Sequence, residues 1–103
     1  MRIAVLGGGA MGALYGGYLS RKNDVLIVDV NTVLIEKIKA EGLTIAEPDG
    51  SSAVYHPAIT DDTKGMQPVD LVIVFVKAMF SQSALEKNRA LIGSDTYLMT
   101  LQN

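Results

Sequence analysis

Three glycines spaced as Gly7-x-Gly9-x-x-Gly12, directly after the apolar run Ile3–Leu6, could hold an anion without a charged side chain. Gly7 permits a tight exit from a strand, Gly9 lets a phosphate approach the backbone with no Cβ in the way, and Gly12 lets the next helix pack closely. The unpaired N–H groups of that helix's first turn, Ala10 and Met11 included, and its positive dipole end then face the anion. Asp29 stands about 20 residues beyond the glycines, where a carboxylate can accept hydrogen bonds from ribose hydroxyls. Glycines and acid together read as a dinucleotide-binding turn. A second reading of Asp29 is local: it supports the start of the next helix near Asn31 or Thr32.

The elements that must position these residues alternate along the chain. We expect a strand at Ile3–Leu6, a helix at Ala10–Ser20, a strand at Val25–Asp29 and a helix at Thr32–Glu41. Gly12 and Gly16 share one face of the first helix and leave room for close contact with a sheet. Two short extended pieces, Leu43–Ala46 and Ala53–Tyr55, flank the turn residues Pro48-Asp49-Gly50 and suggest a hairpin placed where a crossover helix would normally run. The run Leu71–Val76 reads as a strand buried on both faces of a parallel sheet. A helix at Ser81–Leu91 and a strand at Tyr97–Leu101 complete an α/β, Rossmann-type doubly wound fold with an inserted β-hairpin. Ligands of such sheets sit beyond the C-terminal strand ends, which selects Gly7–Gly12, Asp29–Asn31, Lys77 and Gln102-Asn103.

Composition excludes several functions. A chain of 103 residues, 49% of them hydrophobic, is about the size of one domain. Its net charge of −2 and the lack of any basic cluster beyond Arg21-Lys22 argue against nucleic acid and against an anionic membrane surface. The uncharged stretch Ile3–Ser20 could pass for a signal peptide or a membrane helix, but its six glycines would break either. With no cysteine there are no disulfides and no thiolate chemistry, which fits a reducing cytoplasm. His56 reads as a surface histidine, Asp61-Asp62 as a solvated turn, and Met11, Met66, Met79 and Met99 as packing material. No metal site is expected.

With the glycine turn, Val76-Lys77-Ala78 after a buried strand and Leu101-Gln102-Asn103 after the next, the whole chain resembles the ketopantoate reductase (2-dehydropantoate 2-reductase) family. The resemblance implies that residues 1–103 are the N-terminal dinucleotide-binding domain of a longer two-domain protein, followed by a helical domain that carries the main catalytic lysine and its carboxylate partner. It implies hydride transfer from a nicotinamide cofactor to a 2-oxo acid, ketopantoate, giving the D-2-hydroxy acid D-pantoate. Lys77 would then sit near the cofactor ribose and the substrate end of the cleft, and Asn103 would position nicotinamide or substrate, both as supporting residues. Each also has an ordinary reading, Lys77 as a solvated strand-end lysine and Asn103 as a turn residue. A homodimer of the full-length protein is compatible with the resemblance.

One departure concerns the cofactor. Members that use NADPH typically carry an arginine just after the second strand, where this chain has Asp29-Val30-Asn31. A carboxylate accepts from ribose hydroxyls but repels a 2′-phosphate, so NAD(H) is expected over NADP(H). That preference opens an alternative, an NAD-dependent D-2-hydroxy acid dehydrogenase of the D-mandelate type. A rival of another class is a Rossmann module that senses NAD(H) without chemistry, and a third is a Rossmann domain that binds nothing.

Overall fold

Short runs of branched and aliphatic residues, too apolar to alternate, build a sheet covered on both faces. A computed structural model describes residues 1–7, 9–76 and 78–100. Within them, β1 (Arg2–Leu6), β2 (Asp24–Val28), β5 (Ala58–Thr60), β6 (Leu71–Val74) and β7 (Tyr97–Thr100) form a sheet in the order β5-β2-β1-β6-β7. Every pairing in it is parallel, with Ile3 beside Val25 on one side and beside Leu71 on the other. The chain first builds outward from β1 to β2 and β5. It then crosses back to place β6 on the opposite flank of β1, so the strand order reverses between β1 and β6.

Successive residues of β1 enter different cores. Ile3 and Val5 pack with Ala13 of α1 (Gly9–Leu19) and with Ile35 and Ile38 of α2 (Thr32–Glu41). Ala4 and Leu6 pack with Val72, Val74 and Leu91, beside Leu85 of α3 (Ala78–Lys87). A Cβ on Gly16 would come within 2.8 Å of Ile27, and one on Gly17 within 2.5 Å of Leu43, so α1 lies close to both the sheet and the hairpin. Gly12 meets a tighter obstacle than the sheet, the carbonyl oxygen of Gly7.

The hairpin pairs β3 (Leu43–Ala46) with β4 (Ser52–Tyr55) in antiparallel register around Pro48–Gly50. There the Ser51 hydroxyl and amide donate to Asp49 and hold its carboxyl below the usual carboxylate range. Most expected elements are present with ends moved by one to three residues. The expected helix at Ser81–Leu91 starts earlier, and its last turn, Arg89–Leu91, is a 3-10 turn. Strand β5 was not expected, because three residues with one fully buried side chain carry little periodicity. Among the described residues no helix is long and apolar enough to cross a membrane.

Candidate nucleotide-binding site

The C-terminal ends of β1, β2 and β6 are tied together where the glycine turn begins. The Gly7 amide donates to the Val28 carbonyl at 2.7 Å, and the Phe75 amide donates to the Leu6 carbonyl at 2.9 Å. Gly7 has φ +76°, and a Cβ there would overlap the Val76 side chain. Gly9, with φ +52°, starts α1, and a Cβ on it would meet nothing within 4 Å. That direction is open space in the cleft, the room a phosphate approaching the backbone needs. Ala10, Met11 and Gly12 follow in the first turn of α1, whose leading N–H groups have no partner one turn earlier.

Asp29 is only 9% exposed and bridges the two halves of this turn. Its Oδ2 accepts from the Gly9 amide at 3.1 Å, and its Oδ1 accepts from the Asn31 amide at 3.0 Å. The local role considered for Asp29 is therefore realised beside Asn31. Asn31 itself is the N-cap of α2, its side-chain oxygen accepting from the Leu34 amide at 3.1 Å. A carboxylate offers about four acceptor positions, so each Asp29 oxygen keeps one for a hydroxyl.

From this turn a cleft of about 480 Å³ runs past Leu6, Val28, Phe75 and Val76 to an outer wall made by Val30, Phe80 and Ala84. Asp61, Lys87 and Asn88 complete its rim. Asp61 directly follows β5, so it stands at a C-terminal strand end just as Asp29 does. The sequence reading passed over it because β5 itself was missed. Once Ala58–Thr60 is seen as a parallel strand, the rule that selected Asp29 selects Asp61 as well.

Lys77 and Asn103, the two residues expected to assist catalysis, lie outside the described residues, as does Gln102. His56 is exposed, as expected, and Asp61-Asp62 forms an exposed bend. The methionine expectation is corrected: Met11, Met66, Met79 and Met99 are all exposed rather than packed in the core. Met11 lies on the outer side of α1 and Met99 on the edge strand β7, and none of the described elements covers either surface.

The arrangement suits an elongated molecule with an anionic middle at the glycine turn, hydroxyls at Asp29 and an apolar end toward Phe80. The family model described as ketopantoate reductase PanE/ApbA matches residues 3–103. A 2-dehydropantoate 2-reductase of Streptococcus pyogenes is 35% identical over 104 residues, all of this chain and 33% of that protein. The crystal structure of a PanE/ApbA family ketopantoate reductase from Ralstonia eutropha superposes with a TM-score of 0.85 at 28% identity, covering 100% of this chain and 34% of that one. The ternary structure of D-mandelate dehydrogenase with NADH and anilino(oxo)acetate gives a TM-score of 0.86 at 34% identity, covering 100% and 33%. The chain thus spans about a third of the length of the curated relatives it matches.

Proposed function

Because the chain belongs to the ketopantoate reductase PanE/ApbA family, we propose that it forms the dinucleotide-binding domain of an oxidoreductase that reduces a 2-oxo acid to a D-2-hydroxy acid. Ketopantoate to D-pantoate is the leading reaction. The observation that carries this reading is the turn at the switch point, where Gly9 opens onto the cleft and Asp29 is held beside it. A nicotinamide dinucleotide bound there supplies the hydride. The amides at the start of α1 would hold its pyrophosphate, and the free acceptor positions of Asp29 would take the adenosine ribose hydroxyls. Leu6, Val28, Phe75 and Val76 give the cleft an apolar wall that keeps water from the middle of the cofactor. Lys77 and Asn103 would organise the substrate end. The proton donor would belong to the remaining two thirds of the protein, because positioned proton donation needs an acid within hydrogen-bond reach of the substrate oxygen.

We favour NAD(H) over NADP(H). At about 4 Å and an effective dielectric near 20, one pair of like unit charges costs about 4 kcal/mol before screening, and Asp29 is buried enough for much of that to persist. The same residue supports a second reading, reduction of an aromatic or branched 2-oxo acid as in the D-mandelate dehydrogenase that carries NADH. Calorimetric titration with NADH and NADPH tests the cofactor. Following NADH absorbance with ketopantoate and with benzoylformate tests the substrate. No binding of either cofactor would overturn the proposal.

A further inference from the structure

The acid at the end of β5 has no task in the fold, although the bend that carries it is firmly anchored. The Thr60 hydroxyl accepts from the Asp62 amide and donates to the Asp62 carbonyl, both at 3.1 Å. The Asp62 carboxylate accepts from the Lys64 amide at 2.9 Å. One residue further on, the buried Thr63 hydroxyl donates to Asn88 Oδ1 at 2.7 Å, and Asn88 Nδ2 donates to the Ala84 carbonyl at 2.8 Å. This buried pair pins the loop after β5 to the end of α3, the helix that forms the far wall of the cleft. Asp61, between these anchors, makes no hydrogen bond or ion pair among the described residues, yet its side chain is on the rim of the same cleft.

The wall beside it is apolar and open. Val30 is 75% exposed and Phe80 is 55% exposed, and both line the cleft together with Ala84. Val30 directly follows Asp29, the acid assigned to the ribose. What is attached to that ribose must therefore lie within one ring's reach of Val30. A flat apolar surface with one free carboxylate at its edge fits a planar base that presents an amino group. Resting on the dinucleotide reading above, we propose that this outer end of the cleft is an adenine site: the ring packs on Val30, Phe80 and Ala84, and its exocyclic 6-amino group donates to the Asp61 carboxylate. Asp61 is then a residue that determines base specificity, and it selects adenine over a 6-oxo purine, whose oxygen it would repel.

The test compares NADH with its deamino analogue, in which hypoxanthine replaces adenine, by calorimetric titration of the wild-type protein, Asp61→Ala and Asp61→Asn. A hydrogen bond to a charged acceptor, discounted for the exposure of this rim, should favour NADH by about 10-fold in the wild type. Asp61→Ala should bring the two affinities within about 2-fold of each other, mainly by weakening NADH. Asp61→Asn, whose amide can both donate and accept, should also lose the preference. Thermal unfolding of both variants checks that they are folded. Equal affinities in the wild type, or a preference that survives in Asp61→Ala, would overturn the adenine assignment and leave the dinucleotide reading standing. Failure of the wild type to bind either nucleotide would overturn both.

Discussion

Two carboxylates stand at the C-terminal ends of neighbouring parallel strands and are used in opposite ways. Asp29, after β2, is buried and spends half its acceptor capacity on the amides of Gly9 and Asn31. Asp61, after β5, is exposed and bonds to none of the described residues, while Asp62 and Thr63 beside it do the anchoring. The difference teaches where the structural part of the cleft ends. Around Asp29 the ligand site and the fold share atoms, so a change there disturbs both. Around Asp61 the fold is complete without the acid.

The largest effect should come from Gly9→Val, which attacks the turn that Asp29 holds. Its positive φ disfavours a β-branched side chain, and that side chain would occupy the open space in the cleft. We expect dinucleotide binding to fall by at least about 100-fold, a loss of about 3 kcal/mol, with circular dichroism showing a retained fold. A folded variant that binds like the parent would mean that the glycine turn is purely structural. Next comes Asp29→Ala, which frees two backbone amides at once. Bonds to a charged acceptor contribute about 1.5–3 kcal/mol each, and water reaching the cleft side recovers part of this, so a net loss of about 2–3 kcal/mol is expected. In a domain of this size that lowers the melting temperature by about 10 °C or more. An unchanged melting temperature would show that the bridge contributes nothing to the fold.

The contrast between the acids also explains what could be read from the sequence. β1, β2 and β6 were legible because strands buried on both faces are continuous apolar runs, and the glycine turn was legible because its spacing is dictated by backbone sterics. Asp29 was legible by its distance from that turn. Its bond to Gly9 was not, since a contact across 20 residues depends on how β1 and β2 pair. Asp61 was hidden behind β5, whose only fully buried side chain is Ile59. The methionines misled for a different reason. Their chemistry suits a core, but exposure is decided by which surfaces other elements cover, and composition does not report that.

A smaller and more selective effect is expected in the cofactor preference. The wild type should bind NADH at least about 30-fold more tightly than NADPH, a difference of about 2 kcal/mol. Asp29→Ala should narrow the gap by weakening NADH and relieving the repulsion of the 2′-phosphate. Calorimetry at two salt concentrations sharpens the point, because a repulsion between a buried acid and a phosphate is screened less than one between exposed groups. Reversed affinities in the wild type would place a cation, Lys87 on the cleft rim being the described candidate, in control of the ribose end.

The smallest effect should be that of Asp61→Ala on stability. An exposed side chain with no partner among the described residues contributes no hydrogen bond whose loss could be felt, and surface substitutions of this kind usually stay within about 0.5 kcal/mol. The backbone of the bend should hold, because the Thr60–Asp62 and Thr63–Asn88 bonds do not involve the substituted side chain. Thermal unfolding of Asp61→Ala beside Asp29→Ala puts the comparison to the test in one experiment. A loss at Asp61 as large as that at Asp29 would mean that both acids are built into the fold. A loss at Asp29 alone, together with a changed base preference in Asp61→Ala, would separate an acid that holds the site together from one that only reads what enters it.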